Sequence, residues 1–324
     1  MIAELSSAWD RREKAGAHPH TNARRVFHGP GEGKLFSQFA IDLFDAYAWV
    51  TFWQRPGALE ADARLLGGIR DFLLAKNMKA AVLLNRPEKG VPEDAGPLFG
   101  EIPKARFPVF ESQMKYLIQL AGTKHPGLFL DHAPLRTWLA ENSRGKKVLN
   151  TFAYTGSLSV AAARGDASFV TTLDLSKATI DWARENWKLN ELSESSANFI
   201  AGDVFEWLPR LLRKKDFYDL IILDPPSFSR SKSGSFSTAR DLKKLHTQAF
   251  ELLVPQGILA TSINSSKVSW DQYQAEVWSA ARDRKTDLKV LEKIELPPSF
   301  PTRPDQRKEK YLKGWILQTS HIGG

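Results

Sequence analysis

Cysteine is absent from this chain of 324 residues. Its absence excludes disulfide bonds, thiolate metal ligands and a cysteine nucleophile. The sequence also lacks an apolar run approaching the roughly 18 residues of a transmembrane helix. Its first residues show neither the basic region nor the apolar region of a secretory signal. We therefore expect a cytoplasmic protein without a membrane span.

Acidic residues are outnumbered by basic ones. The chain has 37 Asp and Glu residues against 45 Lys and Arg residues, which gives a formal net charge of +8. This excess favours a polyanionic partner such as nucleic acid, although a solvated surface can carry the same charge. The length of the chain fits about two domains.

Composition divides the chain into three parts. Residues 1–34 are polar and rich in turn signals, so we expect an N-terminal arm. Residues 35–121 combine hairpin patterns with one helical pattern, which predicts a small α+β domain on the substrate side. Residues 122–324 form the larger second domain. His18 and His20 have no third ligand at a suitable spacing, so no metal site is predicted.

Strand patterns and helix patterns alternate regularly from residue 147 onward, which predicts an α/β domain with a mainly parallel sheet. Helices are predicted at 156–164, 176–190, 204–213, 238–253 and 270–283. The seven predicted strands are 147–151, 169–174, 197–201, 218–223, 257–263, 288–295 and 311–318. Ligands of such sheets bind at the carboxyl ends of the strands, near the point where the strand order reverses. Functional residues should therefore directly follow the strands.

Four predicted strands end in unusual polar sequences. The first is followed by residues 152–156 (FAYTG) and the fourth by residues 224–228 (DPPSF), while the second and third lead to Asp174 and Asp203. Consecutive prolines remove two backbone donors, which leaves carbonyl groups and the Asp224 carboxylate to face a ligand. Each sequence alone fits an ordinary turn. Their succession at four strand ends indicates a crevice for a cofactor and a flat substrate.

Two cofactors compete for a sheet of this kind. A nicotinamide dinucleotide needs a glycine-rich turn for its pyrophosphate, but Gly156 is the single glycine after the first strand. S-adenosylmethionine has no phosphate, and backbone groups of residues 153–156 can meet its carboxylate and ammonium groups. Asp174 would accept hydrogen bonds from both ribose hydroxyls, and Asp203 would accept from the adenine amine. Ser176 and Asp203 fit equally well as N-caps of the helices that follow.

Four stretches carry a resemblance to bacterial ribosomal RNA large-subunit methyltransferases. They are residues 126–132 (PGLFLDH), 149–157 (LNTFAYTGS), 171–176 (TTLDLS) and 224–232 (DPPSFSRSK). From about residue 21 onward, the chain resembles most the guanine-N7 methyltransferase half of a fused 23S ribosomal RNA enzyme. The resemblance implies a class I methyltransferase fold, with a Rossmann-like seven-stranded sheet whose last strand is antiparallel. Ala133 stands where the family has an arginine, whereas Arg136 matches a later family arginine.

The residues at the strand ends, together with the resemblance, predict the following sites. S-adenosyl-L-methionine is expected at Phe152, Ala153, Tyr154, Thr155, Gly156, Asp174, Leu175, Ser176, Asp203, Val204 and Asp224. The catalytic residues that hold the acceptor base are expected to be Asp224, Pro225, Pro226, Phe228 and Asn264. An RNA strand is expected to contact Arg136, Phe228, Arg230, Lys232, Lys267 and Arg303. For each cation in that set, a solvated surface position is an equally good interpretation.

The missing cysteine limits the acceptor atom. Methylation at carbon 5 of a pyrimidine needs a nucleophile, and relatives with the Asp-Pro-Pro-x-Phe sequence use a cysteine after the fifth strand. Residues 262–267 (SINSSK) stand there instead, so a heteroatom is favoured. Guanine N7 has a lone pair and no proton, so its methylation needs alignment more than a base, and Phe228 would stack the guanine. Guanine N2, a small-molecule or protein substrate, and a non-catalytic RNA-binding role stay open. The sequence does not indicate an oligomeric state.

Overall fold

A computed structural model describes residues 2–14, 20–33, 37–54, 63–87, 92–231, 234–265, 268–303 and 311–321. The chain divides into two compact units. The first unit comprises Met1–Asp131 and Leu296–Glu309. The second unit comprises His132–Glu295 and Lys310–Gly324.

The first unit is built on a five-stranded sheet. Its order is β1-β2-β3-β4-β5, in which β3 and β4 are parallel and the other neighbours are antiparallel. A separate antiparallel hairpin consists of β6 and β7. The elements of this unit are α1 (Ile2–Lys14), β1 (Ala23–His28), the short α2 (Gly29–Glu32), β2 (Phe39–Phe44), β3 (Tyr47–Trp53), α3 (Ala63–Ala75), β4 (Ala80–Arg86), β5 (Gly96–Phe99), β6 (Phe107–Glu111) and β7 (Met114–Ile118).

The core of the first unit lies between helices and one face of this sheet. Successive residues of a strand point to opposite faces, so alternate apolar residues of β2 share a face. Apolar residues of α3 recur at helical spacing and pack against them. The buried cluster includes Phe39, Ile41, Leu43, Val50, Phe52, Leu65, Ile69 and Phe72.

The structure corrects the N-terminal arm expected at residues 1–34. Helix α1 buries Leu5, Ala8 and Trp9, and the Trp9 ring meets the Phe72 ring edge-on at 5.9 Å between centroids. Strand β1 pairs with β2 as an edge of the sheet. The buried residues of α1 follow the spacing of one helix face, but the polar residues between them concealed the pattern.

The structure also moves the domain boundary expected between residues 121 and 122. The first unit extends to Asp131, and it gains the Leu296–Glu309 segment from the far end of the sequence. In that segment, Phe300 is buried beneath the Arg25 guanidinium, whose carbon lies 4.0 Å from the ring centre. Arg12 donates hydrogen bonds of 3.1 and 3.2 Å to the Ser299 carbonyl. Residues near the N-terminus therefore hold a segment that the sequence alone assigns to the second domain.

The second unit alternates strands and helices as predicted. After a 3-10 turn at Leu130–His132, its elements are α4 (Ala133–Asn142), β8 (Lys147–Thr151), α5 (Ser157–Arg164), β9 (Phe169–Asp174), α6 (Lys177–Leu189), β10 (Ala197–Ala201), α7 (Val204–Arg213), β11 (Tyr218–Leu223), β12 (Phe228–Ser231), β13 (Gly234–Ser237), α8 (Thr238–Leu252), β14 (Leu253–Asn264), α9 (Trp270–Asp283), β15 (Thr286–Ile294) and β16 (Leu312–His321). The bounds of the first four strands agree with the prediction, whereas β14 begins at Leu253 instead of residue 257.

Seven strands form the sheet of the second unit in the order β10-β9-β8-β11-β14-β16-β15. Neighbours from β10 to β14 are parallel, and β16 runs antiparallel to both β14 and β15. This arrangement confirms the predicted class I sheet with an antiparallel last strand. The strand order reverses between β8 and β11, which makes their carboxyl ends the expected ligand position.

A small hairpin of β12 and β13 follows the Asp-Pro-Pro sequence, where the sequence predicts only a loop. Phe228 pairs with Ser237 at its base.

Among the described residues, no helix is long and apolar enough to cross a membrane.

Candidate active site

Two of the predicted loops lie side by side at the point where the strand order reverses. Strands β8 and β11 are neighbours in register, with Thr151 opposite Leu223. The Thr151 hydroxyl donates a 2.8 Å hydrogen bond to the Ile222 carbonyl and ties the two strand ends together. Residues 152–156 and 224–228 therefore leave the same edge of the sheet next to each other.

The loop at residues 152–156 has an unusual backbone. Phe152, Tyr154 and Gly156 all have positive φ angles, of 52°, 51° and 75°. A left-handed conformation is costly for residues with a side chain and is found often at functional sites. At Gly156 a Cβ atom would lie 2.8 Å from the Cβ of Ala183, so both the backbone angle and the packing require glycine. Asn186 donates a buried 2.9 Å hydrogen bond to the Thr155 carbonyl and fixes the loop.

Asp174 connects this loop to the next strand end. Its Oδ2 accepts a 2.9 Å hydrogen bond from the Tyr154 amide. Its Oδ1 accepts from the Ser176 amide and from the Thr179 hydroxyl, both at 2.9 Å. A carboxylate has about four acceptor positions, so three donors leave room for about one more. Beside it, the Leu175 side chain is 45% exposed.

Asp203 and Ser176 are both helix N-caps. Asp203 accepts a 2.8 Å hydrogen bond from the Phe205 amide at the start of α7, and Ser176 accepts a 3.3 Å hydrogen bond from the Thr179 amide at the start of α6. The capping interpretation of each residue is therefore confirmed. Val204 is buried in the core of the unit.

Three phenylalanine rings connect the loops. The Phe236 ring of β13 lies 5.9 Å from the Phe152 ring and 5.4 Å from the Phe205 ring, measured between centroids. The hairpin after the Asp-Pro-Pro sequence is thereby packed against the loop after β8 and the start of α7. Phe205 and Phe236 were not predicted as site residues. Phe205 directly follows Val204, a predicted cofactor-binding residue, and this position in the sequence could have identified it.

Asp224 lies in a hydrogen-bonded cluster with Ser262 and His132. Ser262 donates a 2.6 Å hydrogen bond to Oδ1, and Nε2 of His132 lies 3.2 Å from Oδ2. A carboxylate only accepts hydrogen bonds, so Nε2 of His132 must carry the proton in this contact. The histidine is buried, whereas the Asp224 side chain is 24% exposed. Neither His132 nor Ser262 was predicted as a site residue, although both stand in stretches that the sequence singled out.

Thr261, which precedes Ser262 in β14, belongs to a second, buried chain of hydrogen bonds. Nδ1 of His246 lies 2.7 Å from the Leu242 carbonyl, and Nε2 lies 2.8 Å from the Thr261 hydroxyl, which is 2.7 Å from the Tyr273 hydroxyl. Burial lowers the pKa of His246 to about 4 and raises the pKa of Tyr273, so both are neutral at pH 7. The neutral imidazole must donate from Nδ1 and accept at Nε2, which fixes the direction of every hydrogen bond in the chain.

The Asp-Pro-Pro-Ser-Phe sequence has a buried beginning and an exposed end. Pro225 is buried and Pro226 is exposed. Ser227 donates a 2.7 Å hydrogen bond to the Asn264 carbonyl, which joins this loop to the end of β14. The Phe228 ring is 53% exposed. The Asn264 side chain is exposed nearby, as an edge-reading amide would be.

Three of the predicted RNA-contacting cations, Arg136, Arg230 and Arg303, lie in the described part of the chain. Arg136 is fully buried in α4, which corrects its expected contact with an RNA strand. Arg303 belongs to the first unit. Arg230 lies in β12, and Lys232 and Lys267 lie outside the described residues.

The chain matches the family model of S-adenosylmethionine-dependent methyltransferases over residues 24–313. It is 34% identical to ribosomal RNA large subunit methyltransferase I of Aeromonas hydrophila over 234 residues, which are 72% of this chain and 59% of that protein. It is 29% identical to the putative ribosomal RNA large subunit methyltransferase YwbD of Bacillus subtilis over 321 residues, which are 98% of this chain and 80% of that protein. The chain spans about three fifths of the length of the Aeromonas relative.

A solved structure shows the same fold with a product of the cofactor bound. The crystal structure of SMU.776, a putative methyltransferase complexed with SAH, superposes with a TM-score of 0.85 at 26% identity, and covers 98% of this chain and 80% of that one. The family model covers both the loop after β8 and the Asp-Pro-Pro sequence at the reversal point of the sheet. The chain therefore belongs to the S-adenosylmethionine-dependent methyltransferases and has their class I fold.

Proposed function

We propose that this methyltransferase acts on ribosomal RNA of the large subunit and methylates a guanine at N7, as in 23S ribosomal RNA. Relatives whose names state a ribosomal RNA large-subunit activity support the substrate class. The net charge of +8 supports it independently, because neutralising phosphates with cations provides much of the affinity for RNA. Because ribosomal RNA is a cytoplasmic substrate in bacteria, the proposal includes a cytoplasmic location.

The residues at the reversal point fit S-adenosylmethionine, which supplies a methyl group on a sulfonium sulfur when it is bound. Residues 152–156 present backbone groups to the crevice, and α5 begins directly afterwards at Ser157. The amides at a helix N-terminus stabilise a carboxylate such as the one on the cofactor. We assign Phe152, Ala153, Tyr154, Thr155 and Gly156 to the amino-acid end of the cofactor.

Asp174 would hold the ribose, with one change from the sequence-based expectation. Its three existing donors leave about one acceptor position, so it would accept from one hydroxyl directly. Acceptance from both hydroxyls would require the Thr179 hydroxyl to donate its proton to the Ser176 carbonyl, which lies 2.9 Å from the same oxygen, and not to Asp174. The exposed Leu175 side chain would cover the adenine, with Asp203 at its amine and Val204 behind it in the core.

The hydrogen-bonded cluster of Asp224, Ser262 and His132 is the main support for guanine N7 as the methyl acceptor. Where a carbon-5 methyltransferase needs a thiolate at the end of its fifth strand, β14 places the Ser262 hydroxyl, which is already donating to Asp224. A serine in that state is a poor nucleophile, so direct transfer to a nitrogen lone pair is favoured. Phe228 would stack the guanine, and the Asn264 amide would donate to its O6 beside N7.

Guanine N2 is a second candidate, and one specific observation favours it. The Asp224 carboxylate is held by His132 and Ser262 and is still partly exposed, so it can accept a hydrogen bond from an exocyclic amine. Methylation at N2 releases a proton, which Asp224 could receive, whereas methylation at N7 releases none. The two atoms therefore make different demands on the same carboxylate.

One experiment tests the proposal. The protein is incubated with isotopically labelled cofactor and unmodified 23S ribosomal RNA, and the RNA is then digested to nucleosides for mass spectrometry. Label in 7-methylguanosine supports the proposal, and label in N2-methylguanosine keeps the enzyme class and changes the atom. Label in 5-methylcytidine, or only in protein or small metabolites, would overturn it.

A further inference from the structure

One arginine of the first unit, Arg86, has no carboxylate partner among the described residues. Arg86 ends strand β4, and a guanidinium nitrogen lies 3.5 Å from Nδ1 of His125. The Arg86 backbone is fixed, because its carbonyl accepts a 2.9 Å hydrogen bond from the Gln54 amide. Burial lowers the pKa of Arg86. This guanidinium is therefore held in a partly desolvated position, and no carboxylate of the described residues pairs with it.

Two other partly buried arginines of the same unit have the carboxylate partners that Arg86 lacks among the described residues. Arg25 donates to both oxygens of Asp42, at 2.7 and 2.8 Å. Arg12 donates to Glu32 at 2.7 Å. Burying a cation without a partner is unfavourable, so such cations are normally paired. In the part of the chain that the structure describes, Arg86 is an exception to this rule.

Of the residues near Arg86, His125 is uncharged and Lys124 adds a positive charge. Burial lowers the pKa of His125 to about 4, and the positive charges of Arg86 and Lys124 lower it further. The imidazole is therefore neutral at pH 7, and its Nδ1 accepts from Arg86. The positive charges of Arg86 and Lys124 are both close enough to His125 to affect its pKa. The arrangement is suited to an anion that would take the place of the missing carboxylate.

An exposed aromatic ring lies directly beside this cluster. The Phe129 ring lies 5.5 Å from the His125 ring between centroids, and it is 40% exposed. An arginine fork binds a phosphate through two parallel hydrogen bonds, and an exposed ring stacks on a base of any sequence. A phosphate with a base attached satisfies both groups. An acidic peptide would satisfy only the cations.

We propose that Arg86, Lys124, His125 and Phe129 bind one nucleotide of single-stranded RNA, with the phosphate on Arg86 and Lys124 and the base on Phe129. The inference rests on the proposed function in so far as RNA is the substrate. Beyond that function, it assigns an RNA contact to the first unit, at residues outside the sites predicted from the sequence. Neither the family match nor the names of the relatives specify such a contact.

The test measures RNA affinity at a series of salt concentrations. A short fluorescein-labelled single-stranded RNA of mixed sequence is titrated with the full chain and followed by fluorescence anisotropy. Arg86→Gln should reduce the slope of log K against log salt by about 0.7, the value for one phosphate contact on a single strand. Phe129→Ala should weaken binding roughly 5- to 150-fold with the slope unchanged, and Phe129→Tyr should restore it.

Controls separate this site from general charge effects and from misfolding. Lys104 is exposed in the same unit, and Lys104→Gln should leave the slope unchanged. An equal change in Lys104→Gln and Arg86→Gln would overturn the site, and so would equal competition by polyglutamate and unlabelled RNA. Calorimetric measurement of cofactor binding verifies that each variant is folded. Arg86→Lys keeps the charge but loses the two parallel donors of the guanidinium, so it should bind RNA more weakly with an unchanged salt slope.

If the wild-type chain binds no RNA, the proposed function fails. If it methylates RNA while Arg86→Gln keeps the full slope, only this inference fails.

Discussion

The Nε2 atom of His132 lies 3.2 Å from Oδ2 of Asp224, in a contact between the start of α4 and the end of β11. The second carboxylate oxygen accepts from Ser262 at 2.6 Å. With both oxygens engaged, the side chain of Asp224 has a fixed rotamer at the point where the substrate base is proposed to bind. His132 is thus a positioning residue for Asp224.

His132→Ala should lower kcat for RNA methylation by about tenfold, because hydrogen bonds to charged groups contribute about 1.5 kcal/mol or more. The KM for S-adenosylmethionine should stay unchanged. His132→Gln should recover part of the activity, since an amide N–H can donate to the carboxylate. Steady-state kinetics with both substrates measures these values. Equal losses of activity, cofactor affinity and thermal stability would indicate a purely structural histidine instead.

Local patterns were sufficient to predict the strands that position the site. Strands β8, β9, β10 and β11 are short apolar runs bounded by turn signals, and their bounds agree with the prediction. The contact between His132 and Asp224 joins residues far apart in sequence, so no local pattern reports it. The same reason explains why the Leu296–Arg303 stretch could not be assigned to the first unit. Helix α1 was not predicted because only three of its residues form the buried face, and polar residues lie between them.

Asp174→Ala should weaken S-adenosylmethionine binding more than Asp203→Ala. The alanine removes a ribose acceptor and also leaves the amides of Tyr154 and Ser176 without their acceptor. The Tyr154 amide is partly buried, and an unpaired buried donor costs about 1 to 3 kcal/mol, whereas the Ser176 amide is exposed and can donate to water. Isothermal titration calorimetry gives the affinities.

The control for Asp174 is Thr179→Val, which removes one donor and leaves the carboxylate intact. If the cofactor ribose uses the acceptor position that Thr179 occupies, this variant should bind the cofactor as tightly as the wild type or more tightly. Wild-type affinity in Asp174→Ala would show that the carboxylate does not hold the cofactor.

Gly156→Ala should destabilise the second unit by about 2 kcal/mol or more and reduce cofactor binding. Alanine is strained at a φ of 75°, and its Cβ would lie 2.8 Å from the Cβ of Ala183. The matched control is Gly67→Ala in the middle of α3, where an added Cβ meets nothing within 4 Å. That variant should gain roughly 0.5 to 1 kcal/mol. Urea unfolding of both variants provides the comparison, and similar effects of the two substitutions would rule out a special role for Gly156.

Acidification from pH 7 to 5 should destabilise the protein partly through His246. Its pKa in the folded state is about 4, below the ordinary value of 6.5. The unfolded state therefore binds a proton first as the pH falls, and the free energy of unfolding decreases between about pH 6.5 and 4. The contribution of this residue between pH 7 and 5 is about 2 kcal/mol.

His246→Gln should make the free energy of unfolding less dependent on pH in that window, because glutamine does not titrate. The pKa of His125 is also about 4, so His125→Gln should remove a further part of the same dependence. Urea titrations at a series of pH values measure the slopes. A slope that is the same in wild type and His246→Gln would contradict a neutral buried histidine.

Phe228→Ala should lower kcat/KM for RNA roughly 5- to 150-fold and leave the affinity for S-adenosylmethionine unchanged, because base stacking on an aromatic ring contributes about 1 to 3 kcal/mol. Phe228→Tyr keeps the ring and should keep most of the activity. Phe217 provides a matched control, since it is also exposed but precedes β11 and therefore lies at the amino end of that strand. Phe217→Ala should methylate RNA at the wild-type rate. If both alanine variants lose activity equally, the loss reflects general surface or folding effects, and Phe228 is not the stacking residue of the substrate base.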